Sequence, residues 1–151
     1  MKKFILWTDG SALENGIPTS PAGYAYHLQE LQNGKIVKEK TSGGGVLGST
    51  NNRMEMTAVI EGLKKIRAKK TSTVTVKSDS NLVIKGITEW RSSWEERDFR
   101  GVKNEALWRE LYQEVDKFKN ISFEHVKAHS GIRENEICDK YSREEARNVK
   151  K

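Results

Sequence analysis

The chain has 151 residues, enough for one compact domain spanning 1–151 that buries most of its apolar surface without disulfides or a structural metal. Its single cysteine, Cys138, excludes an internal disulfide. No apolar run approaches the roughly 20 residues that span a bilayer, and the mean hydropathy is -0.75, so a membrane function is excluded. The net charge of +6 suits a polyanionic partner without demanding one. Lys64, Lys65, Arg67, Lys69 and Lys70 also stand where cations favour the negative end of a helix dipole. The opening run reaches Asp9 too early for a secretory apolar segment, so the cytoplasm is the expected compartment.

Phe4 to Thr8 is a continuous apolar run that predicts a central strand ending at Asp9-Gly10-Ser11. Pro18, Pro21, Gly16 and Gly23 mark a loop. Ala22 to Gln29 then alternates as a strand, and Asn33-Gly34 predicts a hairpin turn into Lys35 to Lys40. Gly43-Gly44-Gly45 predicts a flexible loop; no Gly-Lys-Ser/Thr follows, which disfavours a P-loop. From Asn51, apolar residues at Met56, Val59, Ile60, Leu63 and Ile66 recur at helical spacing, with Glu55 as a first-turn acid. On a wheel of about 100° per residue Glu55 falls about 40° from Val59 and about 20° from Ile66. It therefore lies at the edge of the stripe that must face a sheet.

Thr73 to Lys77 is β-branched and predicts a strand that again ends at an acid, Asp79. If the two acid-ended strands are parallel neighbours joined through the helix carrying Glu55, three carboxylates gather at one sheet edge, where open α/β sheets place their sites. Val83, Ile84, Ile87, Trp90 and Trp94 continue a helical stripe, with Gly86 a break between two helices. Asn104 is a candidate cap for a helix with Leu107, Trp108, Leu111, Val115 and Phe118 on its apolar face. Ile121 to Ala128 reads as the last strand, His129-Ser130-Gly131 as a loop, and a final helix from near Glu134 carries Asp139. Cys138 reads as a small helix-face residue, and His27 and His125 as packing or surface residues.

Asp9, Glu55, Asp79 and Asp139 thus each stand in a short signature: Leu-Trp-Thr-Asp-Gly-Ser, Thr-Asn-Asn-Arg-Met-Glu-Met, Lys-Ser-Asp-Ser-Asn and Glu-Asn-Glu-Ile-Cys-Asp. Converging carboxylates are hard oxygen ligands, and their mutual repulsion is relieved by divalent cations. In this order, and with Gly86-Ile87-Thr88-Glu89-Trp90 and Val-Lys-Ala-His129-Ser-Gly, the signatures resemble type 1 ribonuclease H, most closely its bacterial form. The resemblance covers almost the whole chain. It implies an α/β fold of the ribonuclease H type, a five-stranded mixed sheet flanked by helices. It also implies an endonuclease that cuts the RNA strand of an RNA/DNA hybrid, leaving 5′-phosphate and 3′-hydroxyl ends.

Carried over residue by residue, the resemblance makes Asp9, Glu55, Asp79 and Asp139 ligands of two Mg²⁺ ions, with Mn²⁺ a substitute on the same oxygen chemistry. It makes His129 a mobile proton carrier, a role its reference pKa of about 6.5 suits. Glu136 either orients His129 through charge or is simply a first-turn helix acid. Gly10, Ser11, Asn15, Asn51 and Asn52 would touch the hybrid's minor groove, where the 2′-hydroxyl distinguishes RNA. Thr50 and Asn104 match positions that grip a DNA phosphate, and Trp90 and Trp94 match aromatics beside DNA sugars, although both tryptophans also fit core packing. No obligate protein partner is implied, and a monomer is expected.

Two departures stand out. The segment Glu95 to Lys103 is short and carries no net charge where bacterial relatives have a lysine-rich protrusion, so weaker hybrid binding is expected, or a basic surface displaced to Lys85, Arg91 or Lys64 to Lys70. Gly48 stands where many relatives have arginine, which implies a looser phosphate pocket. Among rival nucleases, 3′–5′ exonucleases place a second acid two residues after the first, and Ser11 at that position counts against them.

Overall fold

The computed structural model describes residues 2–149. Met1, Lys150 and Lys151, which belong to the expected span 1–151, lie outside the described residues. Five strands form one mixed sheet of order β3-β2-β1-β4-β5. Strands β1 (Lys3–Ala12), β2 (Pro21–Gln32) and β3 (Lys35–Leu47) are antiparallel neighbours. The hairpin between β2 and β3 turns at Asn33 and Gly34, both at positive φ, 53° and 77°, the turn geometry that matches strand twist. Helix α1 (Asn51–Lys64) leads into β4 (Thr73–Ser78), which lies parallel to β1. Helices α2 (Asn81–Thr88), α3 (Arg91–Glu96) and α4 (Glu105–Asp116) then carry the chain to β5 (Asn120–His125), parallel to β4, and α5 (Arg133–Arg147) closes the described fold.

Alternation along β1 separates two layers. Phe4 and Leu6 face the larger core, with Val59, Ile60 and Leu63 of α1, Val74 and Val76 of β4 and Leu111 of α4. Ile5 and Trp7 face the opposite side, where Cys138 of α5 packs with Ala25 and Val126. Cys138 is fully buried, and burial pushes its thiol far above the ordinary range, which fits the packing role expected of it.

Several sequence expectations change. Gly43, Gly44 and Gly45 are not a loop: they pair with Ala25, Tyr24 and Gly23 inside β3. The α5 segment and Tyr24 crowd this edge, so that a Cβ on Gly45 would sit 2.7 Å from the Glu145 carbonyl and one on Gly44 2.9 Å from the Tyr24 hydroxyl. The glycines are there for close approach rather than flexibility. Gly86 does not break a helix either. It lies within α2, the interruption falling at Glu89 and Trp90 instead, and a Cβ there would be 2.1 Å from the Trp108 ring. Gly86→Ala is therefore expected to destabilise the fold by about 1–3 kcal/mol through overpacking, read as a lower denaturant midpoint at unchanged slope. Finally, β5 ends at His125, short of Ala128. Once the Val126 amide has bonded the Ser78 carbonyl (2.9 Å), β4 has no further residue to pair.

Candidate active site

The last rung shared by β1 and β4 is Thr8 with Ser78. The next residue in each case is an aspartate, Asp9 within β1 and Asp79 just past the end of β4, so parallel register brings these two carboxylates side by side. Asp9 lies within β1 rather than at its end, because β1 continues to pair with β2 after β4 has stopped. Glu55 arrives from α1, which rests on β1 at Gly10: a Cβ there would fall 2.3 Å from the Glu55 amide nitrogen and 2.4 Å from the Met54 carbonyl carbon. Glycine is what lets the helix come this close. The helix points Glu55 sheetward as its wheel position requires, leaving it 8% exposed. It is the fifth residue of α1 and so lies beyond the first turn, which Thr50 caps by accepting from the Arg53 amide at 3.2 Å.

One oxygen from each of Asp9, Glu55 and Asp79 lies within 4.8 Å of the others. Burial raises the Asp9 pKa to about 6, with Asp79 and Asp139 adding repulsion and the contact with Glu55 and the Gly10 amide (2.9 Å) offsetting part of it. Burial, then the charges of Asp9 and Asp79, hold Glu55 well above the carboxylate range. Asp79 is raised by burial and by Asp139, against the opposing influence of His129 and His125. Among the described residues no lysine or arginine ion-pairs with any of the three, and Glu55 Oε2 is buried without a hydrogen-bond partner. Such a set of crowded carboxylate oxygens, none of them ion-paired to lysine or arginine, could hold a metal ion.

Asp139 does not join this group of three. It lies on α5, near enough to raise its neighbours' pKa values, with Oδ2 accepting from Arg143 Nη2 at 3.0 Å. His129 stands in the loop before α5 at φ 54° and also acts on Asp79 electrostatically. Two further residues touch the site. Asn135 donates to Asp79 Oδ2 at 3.3 Å, and His125 Nε2 lies 3.2 Å from the Asp79 carbonyl oxygen. The sequence reading missed both roles, although Asn135 sits inside the Glu-Asn-Glu signature. Glu136 occupies the first turn of α5.

The expected substrate residues fall into two adjoining recesses. Asn15, Thr50, Asn51, Asn52, Lys103 and Asn104 line one of about 220 Å³. Asn51 organises its floor, accepting from the Ala12 amide at 2.6 Å while its own amide donates to Asn15 at 2.8 Å. Asn52, Trp90, Trp94 and Asn104 contribute to a second of about 230 Å³. Asn104 occupies the N-cap position of α4, its carbonyl accepting from the Trp108 amide at 3.0 Å, but it takes a left-handed conformation and its side chain makes no cap bond, accepting instead from Arg53 Nη1 at 3.0 Å. Trp90 is 37% exposed, whereas Trp94 packs edge-on against Trp108 at 5.1 Å, so the two tryptophans divide between surface and core. Gly10 and Ser11 continue β1 past Asp9 towards the first recess.

The RNase H family model matches residues 1–147. The chain belongs to the RNase H family. Ribonuclease HI of Campylobacter jejuni is 40% identical over 146 residues, covering 97% of this chain and 92% of the relative. Ribonuclease HI of Helicobacter pylori is 39% identical over 146 residues, covering 97% and 94%. The crystal structure of LC9-RNase H1, a type 1 RNase H with the type 2 active-site motif, superposes with a TM-score of 0.84 at 28% identity over 95% of this chain and 72% of that one. RNase H enzymes are metal-dependent hydrolases that cleave the RNA of RNA/DNA hybrids endonucleolytically, and the five-stranded mixed sheet flanked by helices is their fold. Among the described residues, no helix of this RNase H is long and apolar enough to cross a membrane.

Two of the residues expected to form a displaced basic surface are engaged with acids. Arg91 is spent on Asp116, with two contacts of 2.6 Å, and on Glu95. Lys64 pairs with Glu61 and Glu110, and nine residues of helix, about 14 Å, separate it from Glu55. Lys103 instead lines both recesses.

Proposed function

We propose that this RNase H hydrolyses the RNA strand of RNA/DNA hybrids with two Mg²⁺ ions held by Asp9, Glu55, Asp79 and Asp139, leaving 5′-phosphate and 3′-hydroxyl ends. The observation that carries the reading is the convergence of three uncompensated carboxylates beyond a single rung of two parallel strands, with a buried oxygen of Glu55 left unpartnered. Bound there, the ions supply activation of the attacking water and stabilisation of the departing 3′-oxygen. Asn135 holds the Asp79 carboxylate in place. His129, on the loop before α5, serves as the proton carrier. Gly10, Ser11, Asn15, Asn51 and Asn52 present backbone and amide groups to the minor groove, where the ribose 2′-hydroxyl marks the strand to be cut. Thr50 and Asn104 receive a DNA phosphate, and the exposed Trp90, with Trp94 behind it, packs against the DNA sugars.

The whole span 1–151 acts as a single ribonuclease H domain, monomeric and cytoplasmic. The test is cleavage of a hybrid with each strand labelled separately, with and without Mg²⁺. RNA breakage that requires the ion is expected; breakage mainly of DNA, or of a four-way junction in preference to the hybrid, would reject the assignment.

Because the segment Glu95 to Lys103 is neutral and its neighbours Arg91 and Arg109 are paired with acids, few phosphates are neutralised. The logarithm of hybrid affinity should accordingly fall with log salt at a slope of only about −2 to −3, the release of two or three counterions. A slope near −6 would place a larger basic surface on the hybrid.

A further inference from the structure

A polar cluster lies on the α5 face of the sheet, outside the carboxylate group, buried at Trp7, His27 and Gln29 and open to solvent at Glu39 and Arg133. Gln29 of β2, 2% exposed, is at its centre. Its Oε1 accepts from the Trp7 indole at 2.9 Å, and its Nε2 donates to Glu134 Oε2 at 2.9 Å and to Glu39 Oε1 at 3.4 Å. The orientation of this amide is chemically fixed, since an indole N–H can only donate and a carboxylate can only accept. The cluster is completed by His27, 3% exposed, with Nε2 2.7 Å from Glu39 and Nδ1 2.6 Å from Thr41 Oγ1, and by Arg133, which spans Glu39 at 3.4 Å and Glu134 at 3.3 Å. At its buried centre this network fixes one geometry, because turning the Gln29 amide away would leave it and the Trp7 indole without partners out of reach of water.

What the cluster fixes is the start of α5. That helix has no side-chain cap at Ile132, so its register on the sheet depends on other ties. Glu134 is its second residue, immediately before Asn135, which donates to Asp79, and five before Asp139. The loop holding His129 enters the helix at the same point. We propose that Gln29 and Glu134 are positioning residues for hybrid cleavage: the Trp7–Gln29–Glu134 chain sets the register of α5 and thereby the placement of Asn135, Asp139 and the His129 loop around Asp79. Neither residue touches substrate, and both lie outside the carboxylate group. The inference rests on the roles given to Asp79, Asp139 and His129 above.

The test compares Glu134→Ala with Glu134→Gln, well below the melting temperature of each. An amide oxygen at position 134 still accepts from Gln29, so Glu134→Gln should behave as the wild type. Glu134→Ala should lower kcat about ten- to a hundredfold with KM little changed. It should also raise the Mg²⁺ concentration for half-maximal rate and speed amide hydrogen exchange across residues 133–139 of the metal-free protein. Loss of melting temperature alone, with kcat, Mg²⁺ response and exchange at wild-type values, overturns the proposal. So does a Glu134→Gln variant as impaired as Glu134→Ala, which would assign the effect to the first-turn charge. A wild-type protein inactive on hybrids would instead refute the activity itself, while the exchange arm still reports on the tether.

Discussion

Asp79→Asn is expected to abolish cleavage of the hybrid, lowering kcat by about a thousandfold or more, while leaving the affinity for hybrid near that of the wild type. Asp79 stands where every component of the site meets: it shares the 4.8 Å group with Asp9 and Glu55, feels Asp139 across the cluster, receives Asn135 on its side chain and offers its carbonyl to His125. Asparagine keeps the shape and an oxygen able to accept from Asn135, so the surrounding structure has no reason to move. What disappears is one negative charge and with it much of the attraction for a divalent ion. Binding of the duplex should survive because the recesses lined by Asn51, Asn52, Asn104 and Trp90 are built from other elements. The measurement is single-turnover cleavage of labelled RNA alongside hybrid binding in the absence of Mg²⁺. Full cleavage by the variant would remove Asp79, and the shared ion site with it, from the chemistry.

The parts of the site that the sequence disclosed are those dictated by periodicity. An apolar run and a β-branched run, each followed by an aspartate, become neighbouring parallel strands whose register sets Asp9 beside Asp79, and helical spacing turns Glu55 sheetward. The parts that were not legible depend on contacts between distant segments. Gly43, Gly44 and Gly45 have the composition of a loop and sit in a strand, because the reasons for them are Tyr24 on the neighbouring strand, which crowds Gly43 and Gly44, and the chain of α5 crossing Gly45 about a hundred residues later. Gly86 reads as a helix break, yet its cause is the Trp108 ring. Asn104 has the residue type of a cap but is turned to Arg53, and Asn135 and His125 acquire meaning only when Asp79 stands next to them. Local chemistry writes secondary structure and its endpoints; the absence of a side chain, or the destination of a polar one, is decided by a neighbour the local sequence does not name.

Charge crowding at the site also sets how stability depends on pH, and Asp9→Asn isolates it. A carboxyl that titrates near 3.8 in the unfolded chain and about 6 in the fold keeps its proton longer when folded, the reverse of a carboxylate held in an ion pair. Well below pH 3.8 both states are protonated and Asp9 costs nothing. As pH rises from about 4 to 6 the unfolded chain releases the proton first, so the metal-free protein loses stability through that window, by about 3 kcal/mol in all, and does not regain it at higher pH. Asparagine carries no charge at any pH. Metal-free Asp9→Asn should therefore melt roughly 6–12 °C above the wild type at pH 7 and at the same temperature near pH 3.5, while being inactive at both. Added Mg²⁺ should close the gap at pH 7 by raising the wild type alone, since an ion that binds only the folded site stabilises it by mass action. If the two proteins melt together at pH 7 without metal, the Asp9 charge is already compensated within the fold, and the case for a cation at this cluster loses its electrostatic basis.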